Sequence, residues 1–486
     1  MLSAASERPK TCPLRREITL SAARLIDVTA QDTSAPAAGS VEHRLLDTAA
    51  QILGRGDKEA LTLERAADQA DIPLDEARAL YADDPALFAG VTEFLNDRLR
   101  DYADRELAKL PEDVPIIKRV LANATGYFNA ALDNPTYFAA YSHSQVTEDF
   151  PNIEDEIKRP LNPDTFPEVS ARVLNLLVEA INELGHPMQE DLLITGTLAL
   201  LSEAHGLAHL ATFGIMRHLS PTAKRQTFQA AMDSMLSGMC NTMGEGNILR
   251  FDPDTIPGPV SEKWTTLAKD MPRGTKDEIR EAILRGGAEE VVADGLANFS
   301  LANAAERAGI PLNTATQLFD GDQSLLRELE IYLDEANTQA IMRQASFVPD
   351  GSPSLTFIKA AGFGYIEYAL NDPVGFVALI EISSRSIVPV SFDDEGGMAQ
   401  PFDMGKAFTF LMNIVRDAIS ESEGPRSTWV LYTQMMALWA AVHGIAQLVT
   451  VGALRYRTPE FCFQVSSRIM DIGLRGMINA LELRPN

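Results

Sequence analysis

The sequence predicts an all-α protein built from two similar halves. Apolar residues recur at helical spacing along most of the 486 residues, and no alternating apolar run bounded by hairpin turns occurs. A twenty-residue segment occurs twice, at 62–81 and 300–319, and an ungapped comparison gives nine identities. Unrelated Ala- and Leu-rich segments of that length would share about one or two. The repeat therefore predicts an internal duplication.

Each copy of the repeated segment has the pattern of two short helices joined by a tight break. Thr62 and Ser300 precede the first apolar residues and are suited to cap a helix by accepting its free N–H groups. Asp71 and Gly309 stand at the break, where a left-handed backbone conformation ends the first helix, and glycine adopts it with less strain. A proline follows two residues later in both copies, at the start of the second helix. This spacing is typical of a helix-turn-helix.

The segment that begins at Leu45 resembles the N-terminal three-helix domain of TetR-family transcriptional regulators. The resemblance rests on the strings LLDTAAQIL, ALTLERAADQADIPLDEARALY and ADDPALF, and residues 283–326 repeat the pattern. In that family, two chains pair through C-terminal helices and place two recognition helices in successive major grooves. The resemblance implies that this chain carries both copies covalently, as a tandem of two TetR-like modules that forms an intramolecular pseudo-dimer.

The duplication extends well beyond the helix-turn-helix at a constant offset of 238 residues. Tyr127 and Tyr365 correspond, as do Gly206 and Gly444. We therefore predict a flexible N-terminal arm (1–41), a first helix-turn-helix domain (42–104) and a first helical domain of the C-terminal type (105–240). A turn-rich linker (241–275), a second helix-turn-helix domain (276–342) and a second helical domain (343–486) follow.

The composition favours a cytoplasmic protein that is not strongly attracted to nucleic acid. The formal net charge is −26, from 42 Lys and Arg against 68 Asp and Glu, and such a field repels a polyanion. The three cysteines lie far apart, and the N-terminus lacks an apolar core of signal-peptide length. No phosphate-binding glycine loop, Ser–His–acid order or CxxC motif occurs, so we expect no enzymatic activity and no cofactor.

The resemblance gives candidates for contact with operator DNA, but their surroundings are acidic. Asp84 and Asp322 stand where the family usually has a lysine that contacts phosphate, and an aspartate there opposes docking. We therefore expect DNA binding that is weak or lost. The alternative is a module that keeps the fold and binds a protein partner instead. The candidates are Arg78, Tyr81, Asn313, Thr314, Thr316 and Gln317.

Aromatic and histidine residues in the two helical domains are candidates for an effector pocket, although helical spacing also suits an ordinary core. His205 and His209 have the spacing of a two-histidine metal site, but the second copy has Gln447 in place of His209, which favours core histidines. We expect two unequal cavities, of which one could bind a small apolar effector. The candidates are Tyr127, Tyr141, His205, His209, Tyr365, Trp439 and His443.

One segment has the composition of a membrane span, because Trp429–Leu454 contains no Asp, Glu, Lys or Arg. Its counterpart in the first half carries Asp191 and Glu203, and two copies of one fold should not lie in different solvents. We therefore expect a buried core or interface helix and no membrane partner. Burial of this helix within one chain predicts a monomeric pseudo-dimer, and a dimer of such chains is the alternative.

Overall fold

The computed structural model describes residues 39–55, 61–144, 168–184, 190–244, 275–386, 405–420 and 428–481, the last range without 451, 453 and 456. Every regular element in these ranges is a helix, which confirms the all-α prediction. The predicted arm up to residue 38, most of the predicted linker (245–274), and residues 145–167 and 387–404 lie outside the described residues.

The first half contains nine of the described α-helices and one 3₁₀ turn at Ile215–His218. They are α1 (Val41–Leu53), α2 (Leu63–Gln69), α3 (Leu74–Leu80), α4 (Asp84–Leu107), α5 (Ile116–Asp133), α6 (Pro135–Ser144), α7 (Glu168–Leu184), α8 (Glu190–Thr212) and α9 (Pro221–Gly244). The predicted domain boundary at residue 104 falls inside α4, so this helix continues from one domain into the next.

The second half contains a corresponding series of nine. They are α10 (Thr275–Asp294), α11 (Leu301–Arg307), α12 (Leu312–Ala315), α13 (Asp322–Ala345), α14 (Ser354–Asn371), α15 (Pro373–Ser386), α16 (Gly405–Ser420), α17 (Thr428–Thr450) and α18 (Pro459–Leu481). Seven of them, α11 to α15, α17 and α18, begin 238 residues after α2 to α6, α8 and α9.

The predicted caps and breaks of both helix-turn-helix segments are present. The Thr62 hydroxyl accepts a hydrogen bond from the Arg65 N–H at 3.2 Å, and the Ser300 hydroxyl accepts one from the Asn303 N–H at 3.1 Å. Asp71 and Gly309 both adopt the left-handed conformation, with φ of 56° and 67°. Local sequence therefore determines how these two turns form.

The two halves meet through their last two long helices, because α8 packs on α17 and α9 packs on α18. At each contact a glycine lets two backbones approach closely. A Cβ at Gly206 would collide with the Ala440 carbonyl, and one at Gly444 would collide with the Ser202 carbonyl. A Cβ at Gly238 would likewise collide with the Ile472 carbonyl, and one at Gly476 would collide with the Ser234 carbonyl. We call these two helix contacts the seam.

The apolar segment with the composition of a membrane span forms α17, where most of the described side chains are buried and none is exposed. It packs against α8, α9, α14, α16 and α18. In the part of the chain that the structure describes, no helix meets the length and hydropathy needed to span a bilayer. The expectation of a buried helix rather than a membrane span is confirmed for the described residues.

Candidate functional site

The second half encloses a cavity of about 360 Å³ among α13 to α18. Its wall is mainly apolar, and glycines of α14 and α18, Gly362 and Gly473, leave room in it. The residues 238 positions earlier are Ala124 and Met235, which carry side chains where the second half has none. A pocket of this size falls within the range that holds small organic ligands.

Polar side chains enter the cavity wall at three places. Lys359 is 3% exposed and donates to the Asp471 carboxylate at 2.6 Å, joining α14 to α18. Tyr365 and Trp439, hydrogen-bonded to each other, form the second place. Asn337 of α13 is the third, and its buried side-chain oxygen has no hydrogen-bond partner among the described residues. The wall is therefore apolar with a few fixed polar groups, which suits orientation of a ligand.

Two carboxylates of α13, Glu330 and Asp334, also border the cavity, and both are only partly buried. The amide of Asn337 lies on the same helix, one turn beyond Asp334. The α13 side of the cavity is therefore acidic. The buried cation of the cavity is Lys359 on α14, which is paired with Asp471.

Tyrosines and histidines predicted as pocket candidates form a hydrogen-bonded network at the seam, in which Tyr365 and His443 are buried and the others are half-buried. The Tyr127 hydroxyl lies 2.8 Å from Nδ1 of His205, and the Tyr365 hydroxyl lies 3.0 Å from Nδ1 of His443. Nε2 of His443 lies 3.1 Å from Nδ1 of His209, which joins the two halves. These bonds are satisfied if Tyr365 donates to Nδ1 of His443 and the Nε2–H of His443 donates to His209.

Burial holds these three histidines in the neutral form. It lowers the pKa of His205 to about 4 and that of His443 to about 3, the second also because His205 lies nearby. The pKa of His209 is lowered well below its usual value by burial and by the neighbouring histidines. Within the described residues, no group of three or more His, Cys, Asp or Glu is placed to hold a metal ion.

The predicted pocket residues lie in three places. Tyr365 and Trp439 line the second-half cavity. Tyr127, Tyr141 and His205 pack as a buried ring cluster in the first half, with Tyr127 edge-on to Tyr141 and to Phe138. His209 and His443 lie at the seam between these two places and are not among the residues that line this cavity.

The recognition helix of the first copy, α3, presents an acidic surface. Asp75 and Glu76 in its first turn are exposed, and Arg78 is its only exposed cation. Tyr81 lies at its C-terminal end, where its hydroxyl donates to Glu42 at 2.9 Å and its ring packs against Gly90. This hydrogen bond engages the Tyr81 hydroxyl within the domain, and burial together with Glu42 raises its pKa.

The recognition helix of the second copy, α12, is a single turn of four residues. Asn313, Thr316 and Gln317 are exposed and Thr314 is half-buried. The Thr316 hydroxyl donates to the Asn313 carbonyl at 3.2 Å, so it is bonded locally. A helix this short offers one turn of side chains to a groove.

Asp84 and Asp322 have a structural role that the sequence did not indicate. The Asp84 carboxylate accepts the N–H of Leu63 at 2.7 Å, and Asp322 accepts the N–H of Leu301 at the same distance. Each accepted N–H belongs to the first residue of α2 or α11 and has no partner inside its own helix. The aspartates therefore fasten the first helix of each helix-turn-helix to the long helix that follows it.

Residues 120–235 match the family described as tetracyclin repressor-like, C-terminal domain. The first half therefore contains a segment similar to the C-terminal domain of TetR-family regulators. It covers the described helices from α5 to the middle of α9, the region where that family's C-terminal domain is expected after a helix-turn-helix. No curated protein matches the chain.

Two charged residues of the second half, Lys359 and Asp471, were not predicted from the sequence. Lys359 interrupts the apolar string LTFIKAAGFGY, and a lone charge on a buried face is a usable signal. Its partner Asp471 lies 112 residues away, which no local pattern reveals. In the first half, the fully buried Glu203 on α8 was overlooked in the same way.

Proposed function

We propose that this chain is a ligand-responsive TetR-type regulator in which one polypeptide supplies both halves of the dimer. The seam is the observation that carries the proposal. α8 and α17 pack with Gly206 and Gly444 against each other's helix, and α9 and α18 do the same with Gly238 and Gly476. This pseudo-twofold pattern supports a tandem duplication in which the C-terminal domains pair within the chain.

The second-half cavity is the proposed effector site. It is mainly apolar, about 360 Å³ in volume, and its polar groups come from helices on several sides. It adjoins α17, the helix that forms the seam, and α13, the helix that continues from the second helix-turn-helix. A small, largely apolar effector bound there would contact both elements, so its binding would be coupled to the position of the helix-turn-helix.

The DNA-binding activity of this regulator is proposed to be weak or lost. Phosphate contacts fix a protein on the duplex before bases are recognised, and they require cations. Between Pro73 and Asp84 the exposed charges are Asp75, Glu76, Asp83 and Asp84 against Arg78. Between Pro311 and Asp322 there is no Lys or Arg. The four-residue α12 further limits what the second copy can present.

The test is selection from a fragmented genomic DNA library at about 50 mM and 200 mM salt. We expect no enriched sequence and no retention at the higher salt. Two double variants separate the two copies. One carries Thr316→Glu and Gln317→Glu in the second copy, and the other carries Asp75→Asn and Glu76→Gln in the first copy. The proposal of weak binding would be overturned if the wild type bound DNA sequence-selectively and the variant with Thr316→Glu and Gln317→Glu did not. The protein would then be an ordinary DNA-binding repressor.

A protein-interaction module is the second candidate, and the exposed leucines of the recognition helices favour it. Leu80 is 40% exposed and Leu312 is 48% exposed. Leucine contributes little to phosphate docking but can anchor a protein contact. If the leucines serve this purpose, Leu80→Ser and Leu312→Ser should abolish capture of a specific partner from the native cell extract. The same variants should leave effector binding and the circular dichroism spectrum unchanged.

A further inference from the structure

Glu203 on α8 is a buried carboxyl group without a partner. It is 0% exposed, and neither side-chain oxygen has a hydrogen-bond partner among the described residues. Burial raises the pKa of this carboxyl well above its usual value. An unpaired buried carboxyl destabilises a fold, so its presence calls for a compensating function or partner.

Two asparagines of the first half also carry buried acceptor oxygens that lack a hydrogen-bond donor in the part of the chain that the structure describes. The side-chain oxygen of Asn123 on α5 and that of Asn96 on α4 are buried and have no hydrogen-bond partner in the described residues. Their counterparts 238 residues later are Ala361 and Asp334, and the counterpart of Glu203 is Ala441. All three counterparts line the second-half cavity.

The helices that carry these residues are packed in the same way in both halves. α5 contacts α4 and α8, as α14 contacts α13 and α17. The three polar residues of the first half therefore lie on the helix faces that surround the cavity in the second half. Lys359 lines the cavity of the second half, and the first half has Leu121 at the equivalent position. A lysine at this position therefore cannot balance the negative charge of Glu203.

We propose that Glu203, Asn123 and Asn96 form a second ligand site, in the first half, that binds the protonated amino group of an organic amine. Once ionised, Glu203 offers two acceptor oxygens, and the two asparagine oxygens are acceptors as well. A complementary ligand therefore brings N–H donors, and the carboxylate favours a positive charge. The surrounding helix faces are apolar and suit an apolar substituent. This site is separate from the proposed effector cavity and does not depend on DNA binding.

The bound amine keeps its proton, and Glu203 ionises when it arrives. The carboxyl O–H bond breaks, its proton goes to the buffer, and the ammonium N–H groups donate to the carboxylate. Because burial raises the pKa of Glu203, amine binding is accompanied by release of protons to the buffer. A carboxyl buried only as part of the core would release none.

The experiment is calorimetry of the full chain with n-hexylamine near pH 7, in two buffers of different ionisation enthalpy. We expect one amine per chain and a net release of protons. The neutral n-hexanol and the variant Glu203→Gln should each bind at least about tenfold more weakly, a difference of ~1.4 kcal/mol. Asn123→Ala, which introduces the residue of the second half, should also weaken amine binding.

The control variant carries Glu330→Gln and Asp334→Asn, which remove the carboxylates of the second-half cavity. Its affinity for hexylamine and its proton release should equal those of the wild type. Absence of hexylamine binding, equal affinity of Glu203→Gln, or loss of binding in the control would each overturn the proposal. If Glu203→Gln did not fold, the hexanol comparison, the proton count and the control would still decide.

Discussion

At the scale of single residues, the seam depends on four glycines where a methyl group has no room. We predict that Gly476→Ala lowers the free energy of unfolding by about 1–3 kcal/mol, because the added Cβ would collide with the Ser234 carbonyl, a backbone atom that cannot move alone. Gly473→Ala, three residues earlier on α18, is the matched control. A Cβ there would meet only side chains at 3.8 Å. Urea unfolding measures both, and equal losses would contradict the assignment of Gly476 to a backbone contact.

Also at this scale, Asp84 and Asp322 stabilise the fold through hydrogen bonds to backbone N–H groups. Asp84→Ala should lower the free energy of unfolding by about 1 kcal/mol, because it leaves the Leu63 N–H without its acceptor. Asp322→Ala should do the same through Leu301. Asp75→Ala, on the exposed face of α3, should change stability by less than about 0.5 kcal/mol. A comparable loss in the Asp75 variant would show that net charge, and not the hydrogen bond, is responsible.

The sequence was sufficient for features that depend on neighbouring residues. The caps at Thr62 and Ser300 and the left-handed breaks at Asp71 and Gly309 follow from backbone chemistry within a few positions. The Asp84 contact could not be predicted in this way, since its partner lies 21 residues away. The spacing does recur in the second copy, so the duplication itself was the available signal.

At the scale of the helices, α8 and α17 bury a set of neutral histidines whose protonation opposes folding. An unfolded histidine takes up a proton near pH 6.5, whereas His205 and His443 do so near pH 4 and 3 in the folded chain. The unfolded state therefore binds more protons below about pH 6.5, and stability falls as the pH is lowered from there. Each such histidine contributes up to about 1.4 kcal/mol per pH unit.

The variant His209→Gln tests this dependence, because Gln447 occupies the equivalent position in the second half. Since the pKa of His209 is lowered by burial, removing it should reduce the loss of stability between pH 6.5 and pH 4.5. The amide can still accept from His443. His218→Gln, at an exposed position, should have a smaller effect. Urea midpoints across this pH range give the comparison, and an unchanged slope for His209→Gln would show that His209 is not buried in the neutral form.

Helix-scale features separate what sequence revealed about the site from what it did not. Tyr365 and Trp439, both pocket candidates from the sequence, line the cavity, and their contact with a ligand stays a prediction. The volume of the cavity was not predictable, since it depends on which of four or more helices carries a glycine at the right height, as Gly362 and Gly473 do. The shortness of α12 was also hidden, because Asn313 and Thr314 fit the start of a longer helix equally well.

At the scale of the whole molecule, the seam predicts that one chain completes its own pairing surface. The apolar faces of α8 and α9 are covered by α17 and α18, so no second copy is needed to bury them. Sedimentation equilibrium should therefore give the mass of one chain over a wide concentration range. A mass of two chains that does not depend on concentration would contradict intramolecular pairing.

The same pairing makes a stronger prediction when the chain is cut between the halves. A protease site introduced within residues 245–274 should yield two fragments that remain together as a one-to-one complex after cleavage, because the buried surfaces of the seam hold them. Each fragment expressed alone would expose α8 and α9, or α17 and α18, and should self-associate or aggregate. Co-expression should restore the one-to-one complex, whereas Gly206→Leu with Gly444→Leu should prevent it by forcing the two backbones apart. Fragments that separate after cleavage, each as a stable monomer, would show that the seam is not a pairing interface.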